Sequence, residues 1–340
     1  MNNTKLKKIL STLVSILLVL AVAAKLAAKL WFQVPVFDYY RASEKAFVIP
    51  DINRGFIPQG LCTAEDGRFL TTGYDKNGKA SPLYLVKNGA KSAEKTVRLA
   101  KENGEPYTGH AGGVCYAGGR VYVADGGGRC LYVYDYDAIL AAENGASVNA
   151  VGVFSTAVSK EDYVSPAFVT TDGEHLIVGE FYRENSYPTP DTHKFTTKAG
   201  DYTQALAVAY PLDASAPLGV RREAAFAYAL PDLAQGMAFD GDKLYVSTSW
   251  GTSFSHIFVY DRTRLQQQED LTVLGQTLPF YALDSASRTG DMKIAPMSEE
   301  IVVVDGKLYV MCESASDKYI FGKLTNADFC YATDLEKIKK

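Results

Sequence analysis

Cysteine is sparse in this chain and histidine sparser, with five and four among 340 residues. Cys62, Cys115, Cys130, Cys312 and Cys330 are odd in number and share no C-x-x-C spacing. That excludes a disulfide framework and a paired zinc or redox site. They read as small buried apolar residues within strands. No G-x-S-x-G elbow holds a serine for a nucleophilic triad. Gly126-Gly127-Gly128 lacks the strand–loop–helix setting of a phosphate loop. Acidic residues are missing from the first 37 positions, which hold five lysines. The whole chain has 35 basic and 39 acidic residues, so the remainder carries 30 against 39. That balance excludes a nucleic-acid binder. Extended helical periodicity is also missing after residue 45. What is present is 47% apolar against 22% charged residues, enough for a sizeable core and incompatible with wholesale disorder.

Lys5, Lys7 and Lys8 precede an apolar run from Ile9 to Ala24, broken only by Ser11, Thr12 and Ser15. A basic start and an apolar middle are the layout of a signal sequence. Ala21 and Ala23 fit an A-x-A-like cleavage site, which gives a secreted chain. The other reading is an uncleaved single-pass anchor over 1–32, followed by a linker over 33–44. The helical pattern continues past Lys25 and Lys29 to Leu30, Trp31 and Phe32, where lysines can snorkel and aromatics suit the membrane interface. The anchor is the reading preferred here. Basic residues ahead of the span keep the N-terminus inside, so both readings put the rest outside the cytoplasm.

Internal repetition is the strongest signal. Units reading PQGLCTAEDGRFLTTGY, AGGVCYAGGRVYVADGG, SPAFVTTDGEHLIVGEF, AQGMAFDGDKLYVSTSW and SEEIVVVDGKLYVMCES start at Pro58, Ala111, Ser165, Ala234 and Ser298. Each is a strand, a tight Asp-Gly or Gly-Gly type turn, and a second strand. A third strand follows each: PLYLV, CLYVYD, ALAVAY, HIFVYD and YIFGKL, the last at Tyr319–Leu324. Fourth-strand candidates include TVRLA after Lys95 and AAFAYAL before Pro231. Separations of 53, 54, 69 and 64 residues match propeller blades enlarged by loops. The fold expected is therefore an all-β propeller over 45–324, with five blades of four antiparallel strands and a polar tail over 325–340. Six blades is the alternative, with the extra one hidden in Leu271–Pro296. The segment from Lys45 resembles the one from Phe226, so Phe47–Pro50 is expected to close the ring as the last blade's outer strand. Such closure removes exposed sheet edges.

Pro58-Gln59-Gly60, Gly109-His110-Ala111-Gly112-Gly113 and Met297-Ser298-Glu299-Glu300 resemble segments of bacterial extracytoplasmic β-propellers of unassigned function. The resemblance covers nearly everything after residue 45. It extends distantly to gluconolactonase-like and quinoprotein-like propellers. It implies the fold and carries over no catalytic set.

In a propeller, first strands begin and second strands end on one face, around the channel mouth. Aligning the units gives three columns there. One reads Gln59, Gly112, Pro166, Gln235 and Glu299. The next reads Gly60, Gly113, Ala167, Gly236 and Glu300, where small residues fit close approach near the axis and Glu300 should project into the channel. Second strands end at Tyr74, Gly126, Glu180, Ser249 and Glu313, with Asp125 and Trp250 adjacent. His110 lies just before the second blade's inner strand.

The ligand-binding candidates are thus Gln59, His110, Asp125, Glu180, Gln235, Trp250, Glu299, Glu300 and Glu313. Converging carboxylates can coordinate calcium, or supply acid and nucleophile for glycosidase-like or lactonase-like hydrolysis. They can also do no more than solvate strand ends. No cofactor signature is evident. His175 reads as a strand histidine, and His256 opens a third strand. The polar insertion Phe181–Thr203 belongs on the mouth face as a lid or partner loop. The reading preferred is an extracytoplasmic module that binds a small molecule, a glycan or a protein; a carboxylate hydrolase is the alternative.

Overall fold

The computed structural model describes residues 3–337. Five antiparallel sheets follow one another around an axis. Blade 1 comprises Phe56–Thr63, Phe69–Asp75, Pro82–Val86 and Lys95–Ala100, in spatial order. Blade 2 comprises Val114–Ala117, Arg120–Asp125, Cys130–Asp135 and Gly152–Ser155. Blade 3 comprises Phe168–Thr171, His175–Gly179, Ala205–Pro211 and Phe226–Leu230. Blade 4 comprises Ala234–Asp240, Lys243–Thr248, Ser255–Asp261 and Arg288–Ile294. Blade 5 comprises Ser298–Val304, Lys307–Cys312, Phe329–Asp334 and, from the other end of the chain, Ser43–Val48.

The ring closes as the repeats require, with two shifts in position. The closing strand is Ser43–Val48, which begins earlier than expected and ends before Pro50; it pairs Ser43 with Thr333 and Val48 with Phe329. The third strand of blade 5 is Phe329–Asp334, so it comes from the stretch read as a polar tail. Tyr319–Leu324 is no strand; it contributes a short 3-10 turn at Gly322–Leu324. The aliphatic and aromatic pattern of YIFGKL imitates a strand, yet Ile320 and Phe321 are exposed. Across the closure Phe69 packs on Phe47 at 5.2 Å and on Tyr309 at 4.7 Å between ring centroids. Burying each such ring stabilises the closed ring by roughly 1.5–3 kcal/mol.

The stretch over 271–296 holds no sixth blade. It contains a small hairpin, Leu271–Val273 with Gln276–Leu278, and then the fourth strand of blade 4. Between them Phe280–Ala282 adds in parallel to the outer strand of blade 3. Ser147–Asn149 does the same for blade 1, and both additions cover an otherwise open sheet edge. All five cysteines are buried, unpaired strand residues.

An apolar helix, Asn3–Gln33, precedes the ring. Its large apolar residues from Leu6 to Leu30 are exposed, and it is long and apolar enough to cross a membrane. The stretch over 33–44 is docked rather than a free linker. Val36 and Tyr39 are buried, and Tyr39 packs on Tyr331 at 5.9 Å.

Candidate functional site

The inner strands approach one another so closely that the axis is shut one residue below the mouth. A Cβ on Gly113 would lie 2.6 Å from Phe168 Cα, and one on Gly236 would lie 2.6 Å from Glu300 Cα. Small residues in this column are thus a packing requirement, and Glu300 fills the gap they leave. Its Oε2 accepts hydrogen bonds from the backbone N–H of Leu61 at 2.7 Å and of Val114 at 2.8 Å. Its Oε1 accepts from Val169 N–H at 3.0 Å. One carboxyl from blade 5 therefore ties blades 1, 2 and 3 together at the axis. Burial pushes the Glu300 carboxyl well above its usual range, and the three amides act against that shift. Glu300, expected to project into the channel, is instead absent from the cavity lining and acts as a clasp beneath the floor.

Above this floor lies a cavity of about 710 Å³. The whole column of Gln59, Gly112, Pro166, Gln235 and Glu299 lines it. In blades 1, 4 and 5 the strand register slips at that point, between Pro58 and Gly60, Ala234 and Gly236, and Ser298 and Ile301. A β-bulge of this kind re-aims a side chain, and here it turns Gln59, Gln235 and Glu299 to the mouth. Leu233 and Met297, just ahead of two of these strands, adopt left-handed backbone at φ 64° and 61°. Strain of that sort concentrates where a site needs a fixed geometry.

Two aromatic walls rise from the floor. In the first, His110 stacks on Tyr74 with centroids 4.6 Å apart and planes 10° apart. Lys318 Nζ donates to Tyr74 Oη and sits 5.0 Å from the Tyr319 ring. Tyr319 Oη donates to Glu313 Oε1 at 2.6 Å, and Gln59 Nε2 donates to Glu313 Oε2 at 3.1 Å. The second wall is Phe181, Tyr187 and Trp250, with centroid separations of 5.2 to 6.1 Å. Arg183 lies 3.9 Å over the Trp250 ring. Phe181 and Tyr187 come from the long insertion, which therefore does reach the mouth face. Gln235 Nε2 donates to Ser249 Oγ between the walls, at 3.4 Å.

The cavity's carboxyls are Glu299 and Glu313. Burial pushes Glu299 well above the usual range, Glu313 and Glu300 push it further, and Lys318 and Gln59 oppose. Glu313 is also raised by burial, against Tyr319, Lys318 and Gln59. His110 is lowered, by partial burial first and the Lys318 ammonium second. The shifts act in one sense: burial disfavours the charged form of the imidazole and of both carboxyls.

Glu180 and Asp125 fall outside the cavity lining. Glu180 is fully buried; it accepts from Leu206 N–H at 3.1 Å and meets His193 Nδ1 at 2.8 Å. It fastens the insertion to blade 3. Asp125 folds back on its own glycine turn, where a Cβ on Gly128 would lie 2.5 Å from Oδ2. Among the described residues no group of three or more His, Cys, Asp or Glu side chains is placed to hold a metal ion. His175 opens its strand against Asp172 and His256 pairs with Asp291 at 2.6 Å, both away from the mouth. The columns missed Lys318, Tyr319, Phe181 and Tyr187. Lys318 and Tyr319 were hidden by the strand-like YIFGKL; the other two sit in an insertion without a repeat partner.

The chain is a five-bladed β-propeller with a closed axis and one aromatic-walled mouth. No protein-family model matches its sequence, and no curated protein does. Among solved structures it is similar to the glutaminyl cyclase of Myxococcus xanthus, at 10% identity and a TM-score of 0.41, over 86% of this chain and 97% of that one. It is similar to the PQQ-bound aldose sugar dehydrogenase of Streptomyces coelicolor, at 10% identity and a TM-score of 0.42, over 85% of this chain and 95% of that one. It is also similar to the β-propeller domain of Myceliophteria thermophila Cps50 (Swd1), at 11% identity and a TM-score of 0.34, over 82% and 83%. These distant likenesses carry no ligand or activity to this chain.

Proposed function

We propose that the chain is a membrane-anchored, extracytoplasmic binding module whose mouth takes a small polyhydroxylated ligand such as a glycan segment. The observation that carries this reading is the pairing of two aromatic walls with a floor of amides and carboxyls. Flat aromatic faces receive the apolar face of a sugar ring, while Gln59, Gln235, Glu299 and Glu313 meet its hydroxyls. A volume of about 710 Å³ lies within the range of small-molecule sites. Placement outside the cytoplasm is supported by the basic residues in the first turns of the apolar helix, ahead of its apolar run.

A second reading follows from the carboxyl pair. Glu299 and Glu313 share one cavity and both are raised, so one can hold a proton for general-acid catalysis while the other acts as base or nucleophile. Calcium would need several oxygen ligands around one centre, and the cavity offers two carboxyls.

The test is a glycan-array and calcium screen of the full chain in detergent, followed by calorimetry and product analysis of any glycan bound. Binding that is lost in Trp250→Ala and Glu299→Gln, with the glycan recovered intact, supports the module. Cleavage of the bound glycan replaces it with the hydrolase. Binding unaffected by either substitution overturns both.

A further inference from the structure

Ile320 and Phe321 stand out because they are apolar, adjacent, and 88% and 59% exposed on a ring whose other large apolar side chains are mostly buried. Looseness does not explain them, because the loop is tied on both sides. Before them Lys318 donates to Tyr74 and Tyr319 to Glu313. After them Gly322 is pressed so tightly on Ser314 that a Cβ would overlap its carbonyl oxygen, and Lys323 donates to Asn53 and to the Ala315 carbonyl. The fold holds the pair outward.

The same loop receives the end of the apolar helix. Gln33 Nε2 donates to the Leu324 carbonyl at 3.1 Å, and Tyr40 Oη donates to the Thr325 carbonyl. Flanking Gln33 in sequence, Trp31 and Phe37 are 72% and 61% exposed. Trp31 closes the apolar span, at the position where aromatic residues sit in the headgroup layer. Exposed apolar residues on two segments, joined by a hydrogen bond, form a patch of the kind that marks an interaction surface.

We propose that the Ile320–Phe321 loop is a second membrane contact, seated in the interfacial layer of a lipid bilayer beside the end of the N-terminal helix. This rests on the anchored reading above. The occupant is lipid because the patch continues the surface of a helix that already presents its large apolar residues from Leu6 to Leu30 outward. Apolar side chains at this depth lie at the headgroup–acyl boundary. Lys318 and Tyr319 belong to the same loop and line the mouth. Seating the loop therefore sets the blade 5 rim of the mouth against the membrane surface, and the ring cannot swing freely about its anchor.

The experiment places nitroxide labels on the full chain in nanodiscs of phosphatidylcholine and phosphatidylglycerol. Single labels go on Ile320→Cys, on Leu17→Cys within the helix, and on Glu174→Cys in the exposed hairpin turn of blade 3. The native cysteines are all buried and leave the new thiols selectively reactive. The expected result is a lipid-buried label at 17, a freely aqueous label at 174, and several-fold lower access of an aqueous nickel reagent at 320 than at 174. Equal access at 320 and 174, with 17 still in lipid, overturns the second contact and leaves the anchor standing. An aqueous label at 17 overturns both.

Discussion

Glu299 and Glu300 are consecutive, chemically identical and almost fully buried, yet they do opposite work. Glu300 points into the axis, where three backbone amides of three other blades meet its oxygens. Glu299 faces a cavity whose other carboxyl, Glu313, raises it further. The contrast shows that residue type and burial do not decide a carboxyl's role. The backbone donors aimed at it do, and those come from strands far away in sequence. A satisfied carboxyl is part of the scaffold; an under-satisfied one next to a second is available to a ligand.

The largest break in this comparison is expected from Glu300→Ala. Three buried N–H groups lose their acceptor at once, and each unsatisfied donor costs about 1–3 kcal/mol. Urea unfolding of the full chain in detergent should show several kcal/mol of lost stability, or no folded protein. Glu300→Gln presents an NH₂ group where an N–H donor already points, so it should lose about 1–3 kcal/mol. An unchanged midpoint in either variant would refute the clasp.

Gly236→Ala tests the same floor through packing. Its new Cβ would stand 2.6 Å from Glu300 Cα, backbone that cannot yield cheaply. A loss of about 1–3 kcal/mol is expected from such overpacking. Wild-type thermal unfolding would show that the floor is looser than described.

A smaller effect, of opposite sign, is expected from Glu299→Gln. The folded-state pKa of Glu299 is raised above the unfolded value, so between the two the native state holds more protons. Stability must then fall as pH rises from the unfolded carboxyl range through the raised value, and the penalty is complete above it. Removing the carboxyl should flatten that decline and leave stability at neutral pH equal to or above wild type. Urea midpoints between pH 4 and 9 check this; a steeper decline in the variant would contradict it.

The smallest effect on stability, within about 0.5 kcal/mol, is expected from Trp250→Ala, since this rim side chain is partly exposed. A several-kcal/mol loss would move Trp250 from the ligand side of the comparison to the scaffold side.

Much of this arrangement was legible beforehand. Asp-Gly and Gly-Gly type turns at repeated positions dictate hairpins, and their spacing dictates blades. Aligning the hairpins by their turns put Gln59, Gln235, Glu299 and Glu313 on one face, and all four line the cavity. The small residues at Gly60, Gly113 and Gly236 correctly announced close strands. Closure by the N-terminal segment was visible because Lys45–Gly60 repeats the pattern of Phe226–Gly236. The third strand of blade 5 was not, because YIFGKL has strand composition while FCYATD lies in a stretch that reads as polar.

The sequence by itself determined the five-fold repeat, the apolar helix and the column of mouth residues, since each follows from local periodicity and turn chemistry. Tertiary structure alone decided which carboxyls serve the cavity. Glu180 is taken up by His193 and Leu206 N–H and Glu300 by three neighbouring blades, while Asp125 lies against its own turn. A hydrogen bond between residues 131 to 239 positions apart leaves no local pattern. Only the closed ring brings donor and acceptor together, and their meeting separates clasp from site.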